Sequence, residues 1–467
     1  MDVQEILYAV EWFFIAYLAV YSTFLFASIV SGSLALYEMH QRKWYKVDDL
    51  GPIDIPVSVL VPAHNEELSI LKTVESLVAL EYATYEIIVV DDGSSDQTAA
   101  KLIKEYGLEI TRMQMQETLP CQPIRFVYTG TVRGVEVTLI MKENGGKADS
   151  LNAGINASRY PYFLCMDADS VLQTDSLTEI VKPVMAHENV VACGGLIRII
   201  NGALMRDGKI VEYRIPYHLL VGTQMLEYDR SFLGSRLFLN RFNGNLIISG
   251  AFGLFQKKAV LQVGGYATDS LGEDMELVMK LHSYFRQNKK PYTIEYVPQA
   301  VCWTQAPTTV KDIFGQRRRW HIGLIQCLNK YWKMWMSFDY GVLGWFSYPY
   351  YLFYEYLAPI IEVAGVFVTL FALVLNVINM TYMVWFFLIY FFFGIFMSIS
   401  AFLARVYSQN VYVSRRDIVR VCVMSVVEVF FTRFIVLAAR ISALFRFRKK
   451  KFEWGSIARM QTPGEEE

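Results

Sequence analysis

Charge of one sign is what this chain most lacks. Its 44 Lys and Arg face 45 Asp and Glu, for a formal net charge of -1 over 467 residues. Without a basic field there is nothing global to hold a polyanion, so nucleic acid is not expected as a partner. Cysteine is also scarce. The six thiols, Cys121, Cys165, Cys193, Cys302, Cys327 and Cys422, are scattered with no CxxC pair. That excludes a disulfide or zinc framework and fits free thiols in a reducing compartment. His64, His282 and His321 lie near polar motifs but show no zinc spacing, so packing and hydrogen bonding are their expected work. The Gly145-Gly146-Lys147 segment lacks the spacing of a Walker A loop.

Apolar residues are abundant instead. The chain is 54% hydrophobic and 15% aromatic, with a mean hydropathy of +0.27. That is too apolar for a wholly soluble protein, and membrane segments are expected. The run from about Tyr8 to Leu36 is long enough to span a bilayer. Its acidic start and its length argue against a signal peptide. His40, Arg42, Lys43 and Lys46 follow it, which places that side in the cytoplasm and the N-terminus outside. Further spans are expected near Pro359 to Ile378 and Met383 to Ala404. A third run, Ile418 to Leu444, contains Glu428, Arg433 and Arg440, which are costly in lipid. Three spans after a cytoplasmic domain would put the basic run at 446–451 outside, against the charge rule. The Ile418 to Leu444 run is therefore expected to be interfacial, re-entrant or lining a polar channel.

The block from about Pro56 to Lys333 is polar. Val57 to Val61 and Glu86 to Val90 read as buried parallel strands, and Glu67 to Leu80 between them has helical spacing. This βαβ pattern predicts a doubly wound α/β sheet. Tyr162 to Met166 is another buried strand. It ends in Asp167-Ala168-Asp169, at the carboxyl edge where open α/β sheets place ligands. Two acids one residue apart can share a hard divalent cation that holds a diphosphate. Glu273-Asp274 follows about a hundred residues later and can supply a base. The loops Pro62-Ala63-His64-Asn65-Glu66 and Asp91-Asp92-Gly93-Ser94 leave strand ends, where a nucleotide would sit. The segment Asn144 to Asn152 opens a helix whose start suits a phosphate. Residues Lys311 to Trp335 alternate basic and aromatic groups and suit an amphipathic helix at the membrane surface.

Taken in order, Pro-x-x-Asn-Glu, Val-Asp-Asp-Gly-Ser, Gly-Gly-Lys-Ala-Asp, Asp-Ala-Asp, Gly-Glu-Asp and Gln-x-x-Arg-Trp resemble family 2 glycosyltransferases. More narrowly they resemble the membrane-embedded processive synthases of cellulose, chitin, hyaluronan and poly-N-acetylglucosamine. The motifs span roughly residues 56 to 321. The resemblance implies a GT-A (Rossmann-like) domain with transmembrane and interfacial helices, a UDP-sugar donor, a growing polysaccharide acceptor, and Mg²⁺ or Mn²⁺. It implies nucleotide-sugar contacts from Pro62, Ala63, Asn65, Glu66, Asp91, Asp92, Lys147, Asp167, Gln316 and Arg319, and metal contacts from Asp167 and Asp169. Asp274 would be the catalytic base with Glu273 beside it. Ser249, Gly250, Phe252 and Trp320 would shape the acceptor pocket. Glycine at 272 departs from the commoner threonine of the Thr-Glu-Asp motif and puts any hydroxyl contact to the acceptor in doubt.

The organisation expected is an N-terminal transmembrane helix with its basic flank (1–46), a cytoplasmic catalytic domain (47–310), interface helices with the Gln-x-x-Arg-Trp motif (311–357), a C-terminal transmembrane region (358–445) and a cytoplasmic tail (446–467). That makes a multi-pass plasma-membrane protein in contact with lipid, with room for accessory secretion subunits. No regulatory domain for cyclic-dinucleotide sensing is expected. The function implied is inverting, processive transfer to a β-linked polymer coupled to its export. Two other readings stay open: single transfer to a lipid acceptor, and a non-enzymatic channel or secretion scaffold. The intact acids at 167, 169 and 274 argue against the last. Glucose, N-acetylglucosamine and a mixed polymer are all open as the sugar.

Overall fold

The computed structural model describes residues 3–43, 55–113, 115, 118–206, 209–409 and 413–446. Lys46 of the basic flank and the tail from residue 447 onward lie outside the described residues.

A ten-stranded sheet forms the frame. Its strands are β1 (Val57–Ala63), β2 (Tyr85–Asp91), β3 (Glu109–Ile110), β4 (Ile124–Val132), β5 (Val135–Lys142), β6 (Tyr162–Met166), β7 (Val171–Leu172) and β8 (Val190–Ile199). A hairpin of β9 (Ala203–Arg206) and β10 (Lys209–Tyr213) stands apart, and β11 (Phe252–Gln256) and β12 (Thr293–Thr304) complete the sheet. The order is β3-β4-β5-β2-β1-β6-β11-β8-β12-β7. β1 and β2 are buried at every position, because helices cover both faces of the sheet. That is why they read as unbroken apolar runs.

The sheet is mixed, not wholly parallel. β5, β2, β1 and β6 run parallel, but β11 enters antiparallel between β6 and β8. Residue pattern gives burial but not strand direction, so this insertion was not legible. The helix expected over Glu67 to Leu80 is shorter, Ile70–Val78. Its first turn is pulled into the neighbouring loop: Glu67 N donates to Asp96 (3.1 Å), and Gln97 N donates to the Glu67 carboxylate (3.2 Å).

Among the described residues, three helices are long and apolar enough to cross a membrane: Tyr8–Met39, Met380–Tyr407 and Arg415–Leu444. A bent pair, Leu343–Tyr356 and Ala358–Val374, breaks by 51° and makes a fourth candidate if taken as one span. The chain is a membrane protein on this evidence of length and apolarity. The expected Pro359 to Ile378 span is thus half of a broken pair. The Ile418 to Leu444 run lies in a full-length helix whose Glu428, Arg433 and Arg440 line a cavity, in keeping with the third of the expected alternatives. The helix expected at Lys311 to Trp335 is Val310–Lys330, with Thr309 capping it by accepting from Asp312 N. It does more than lie on a surface. Ile313, Arg317, His321, Ile325 and Leu328 are buried, and it packs against the Arg433–Leu444 segment.

Candidate functional site

The site lies at the carboxyl ends of β1, β2 and β6, under a cavity of about 770 Å³. Pro62, Glu66, Lys147, Asp167, Asp169, Ser249, Gly250, Glu273, Asp274, Gln316, Arg319 and Trp320 all line that one cavity. Residues up to 258 positions apart in sequence therefore meet.

Lys147 is the hub. Gly146 precedes it at φ 90°, a left-handed conformation that glycine adopts without strain, and so turns the chain into the Lys147–Ala157 helix. The Lys147 ammonium lies 2.5 Å from Asp167 and 3.6 Å from Glu273, and donates to the Gly250 carbonyl at 3.2 Å. Burial alone would depress its pKa. Asp167 and Glu273 more than offset that, so the group stays cationic. Burial pushes the Glu273 carboxyl up, against the pull of Lys147, and Asp274 adds to the rise. Asp274 is held in one orientation: Gly250 N donates to one carboxylate oxygen (3.1 Å) and Met275 N to the other (2.7 Å). Asp169 carries a hydrogen bond from Ser170 at 3.3 Å.

The nucleotide-side loops are braced together. Ser95 N donates to the Asn65 side chain (2.8 Å) and Asn65 N to Ser94 Oγ (2.9 Å). Asp92 is fully buried and accepts from Gly145 N (2.9 Å) and Gly146 N (2.7 Å), and it is ion-paired with buried Lys142. Lys142 also meets Asp149 at 2.8 Å. Asp92 therefore anchors the Gly-Gly-Lys loop from behind. Asp91 is 2% exposed, and one of its carboxylate oxygens is buried without a hydrogen-bond partner. Burial raises its pKa, with Ser94 opposing. Ala63, Asn65, Asp91 and Asp92 do not line the cavity. Phe252 does not either. It is fully buried in the sheet core against Gly195, so it supports the Ser249-Gly250 turn from below rather than facing a sugar.

Sequence reasoning missed Arg317. It is 5% exposed, pairs with Glu227 at 2.7 Å, and stacks its guanidinium over Trp320 at 4.5 Å. It lies within the quoted motif, but its inward direction depends on where Glu227 arrives from a distant helix. The cavity also continues among the apolar helices. There Arg230 pairs with Glu428, Arg433 with Glu362 (3.0 Å) and Arg440 with Glu355 (3.0 Å), with Tyr17, Tyr21, Tyr354 and Tyr390 between them. The sequence flagged the membrane charges but not their partners. His282 bonds Tyr292 (2.6 Å) and the Asn245 carbonyl (2.8 Å), and a His64 ring nitrogen lies 2.9 Å from the Asp92 carbonyl.

Comparison with known proteins gives the family. Residues 162–399 match the model for glycosyl transferase family group 2, and residues 58–114 match that for glycosyl transferase family 2. A poly-beta-1,6-N-acetyl-D-glucosamine synthase of Staphylococcus epidermidis is 31% identical over 72% of this chain and 70% of its own. That of Staphylococcus aureus strain COL is 31% identical over 62% of this chain and 58% of its own. Among solved structures, a mannosyltransferase of Pyrobaculum calidifontis in complex with GDP-Man and Mn²⁺ is 16% identical, covering 91% of this chain and 97% of its own at TM-score 0.49. By the family model and these relatives, the chain belongs to the family 2 glycosyltransferases, of the poly-N-acetylglucosamine synthase type.

Proposed function

We propose that the protein transfers sugar from a UDP-sugar to a growing β-linked polysaccharide, processively and with inversion, and passes the polymer across the membrane. One observation carries this reading. The cavity that holds Lys147, Asp167 and Asp274 is continuous with the stretch lined by Arg230, Glu355, Glu362, Glu428, Arg433 and Arg440 on the apolar helices. A product made at Asp274 has a polar path into the membrane region. Three arginines face three acids along that stretch, and this balance suits an uncharged chain better than a polyanion.

Pro62 and Glu66, on the loop after β1, line the cavity where the donor's uridine would lie, with buried Asp91 on the neighbouring strand bracing that edge. Lys147, at a helix start behind Gly146, meets the diphosphate and stabilises the departing UDP. Asp167 and Asp169 suit Mg²⁺ or Mn²⁺. Among the described residues no cluster of three ligating side chains could hold a metal alone, and such cations are commonly held by one or two carboxylates plus substrate phosphates. A cation held there would supply charge neutralisation on the leaving diphosphate. Asp274, oriented by Gly250 N and Met275 N, takes the proton from the acceptor hydroxyl as it attacks the anomeric carbon. Attack opposite the leaving group inverts an α-linked donor to a β linkage. Trp320, 42% exposed and stacked by Arg317, offers the acceptor sugar a flat surface.

In this proposal the catalytic domain is cytoplasmic and the N-terminus outside, as the basic residues after the first helix favour. If the 51° break makes Leu343–Val374 re-entrant, Met380–Tyr407 and Arg415–Leu444 return the tail to the cytoplasmic side. The basic run at 446–451 then obeys the charge rule, and the segment that does not cross is the broken pair, not the last helix. The test is purified protein in lipid nanodiscs with a panel of UDP-sugars, measuring UDP release and product length. Long chains support the proposal. A single sugar on lipid supports the lipid-acceptor reading, and no UDP release with any donor refutes both.

A further inference from the structure

Gly272 and Gly323 touch backbone to backbone. Gly272 is the residue before the Glu273–Gln287 helix, two positions from Asp274. Gly323 lies inside the Val310–Lys330 helix, one turn after Trp320. A Cβ on Gly323 would come within 2.8 Å of the Gly272 nitrogen and α-carbon, and one on Gly272 within 3.1 Å of the Gly323 α-carbon and carbonyl carbon. No side-chain rotation relieves such a clash, because both partners are main chain. Other bonds draw the same two segments together. Leu271 N donates to Gln326 Oε1 (2.9 Å), and Lys330 (2.7 Å) and the Tyr331 hydroxyl (2.8 Å) both reach the fully buried carboxylate of Glu276.

Local propensity does not favour either glycine. Glycine within a helix is destabilising relative to alanine, and at a helix start it gives up the side-chain cap a threonine would supply. Gly272 has no capping side chain. What both glycines gain is closeness. The contact also accounts for glycine at 272, where the resemblance predicts threonine.

We infer that the Gly272–Gly323 contact is the gauge that fixes the distance between the base Asp274 and the acceptor surface of Trp320. Both glycines are positioning residues that touch no substrate. The inference rests on the transfer mechanism proposed above. The groups for the diphosphate and its cation, Lys147, Asp167 and Asp169, lie off this seam, and Gln316 and Arg319 lie one to two turns before Gly323 on its helix, so widening the seam moves the acceptor hydroxyl away from its base and leaves the diphosphate held.

The test is Gly323→Ala in the full-length protein in nanodiscs, with Gly315→Ala as control. A Cβ at Gly315, on the same helix, meets nothing within 4 Å. Gly323→Ala should lower polymer-forming turnover at saturating UDP-sugar by roughly ten- to a hundredfold, since a misplacement of about 1 Å costs that much. The donor KM should stay within about twofold, and Gly315→Ala should match the parent. Gly272→Ala, the milder clash, should lose less. If Gly323→Ala does not fold, Gly272→Ala decides by the same criteria. Parental turnover in the deciding variant overturns the gauge. So does a donor KM that rises in step with the loss, or an equal loss in Gly315→Ala. A parent that turns over no UDP-sugar refutes the transfer mechanism itself, whereas a parent and variant that polymerise equally refute the gauge alone.

Discussion

Lys142→Met is the substitution that best separates bracing from binding at the nucleotide side. Lys142 ends β5 with a side chain at 0% exposure, between Asp92, also at 0%, and Asp149 at 7%. It is not among the residues that line the site cavity. Its ammonium also donates to the Glu143 carbonyl at 2.7 Å. Methionine has similar length and no charge, so packing is roughly kept while two buried carboxylates lose their cation. Removing one partner of a buried ion pair costs about 3–5 kcal/mol, because the charge left behind is uncompensated. A loss of that size lowers the melting temperature by roughly 5–15 °C. The same carboxylate, Asp92, holds Gly145 N and Gly146 N, so the Lys147 loop should loosen with it. Donor KM should therefore rise by about tenfold although no donor contact was touched, the equivalent of about 1.4 kcal/mol. Thermal unfolding in detergent and initial UDP release against UDP-sugar concentration measure the two effects. An unchanged melting temperature together with an unchanged KM would refute the bracing argument. An unchanged melting temperature with a raised KM would mean that Lys142 reaches the donor directly.

Asp274→Asn should cut polymer formation by roughly three orders of magnitude, since an amide cannot take the acceptor's proton. UDP binding by calorimetry should persist. Asp169→Ala should abolish synthesis, and chelation should do the same to the parent, with Mg²⁺ or Mn²⁺ restoring it; full turnover in excess chelator would give the acid pair another role. The pH dependence of stability should carry a signature of His282. Burial, with Arg286 adding, lowers its pKa from 6.5 to about 4. The unfolded chain then binds the proton first, so His282 contributes fully above pH 6.5, and stability falls by on the order of 3 kcal/mol as pH drops to about 4. His282→Asn should flatten the melting-temperature profile in that window, and an unaltered slope would sink the assignment.

The chemistry was legible in the sequence because each motif closes a strand or opens a helix. Asp167 and Asp169 follow the apolar run of β6, and Lys147 follows two glycines, so local pattern alone put them at a ligand edge. Membrane residence was legible for a similar reason, since apolar runs of bilayer length need no partner to be recognised. Asp92 was different. A carboxylate in a loop looks the same whether it meets a ligand or the backbone amides of Gly145 and Gly146, and only the arrival of β5 with Lys142 distinguishes the two. Phe252 was assigned to the acceptor pocket by its motif, yet its side chain goes into the core.

What the sequence determined by itself is therefore the kind of chemistry, the α/β class and the need for a bilayer, all properties of short contiguous stretches. Tertiary structure alone decided the rest. It inserted β11 antiparallel between β6 and β8, turned Arg317 inward to Glu227, and matched Arg230, Arg433 and Arg440 with acids up to 198 residues away. It also pressed Gly272 against Gly323. These depend on which surfaces meet when the helices pack, and pairwise distance between remote segments leaves no periodicity in a single chain.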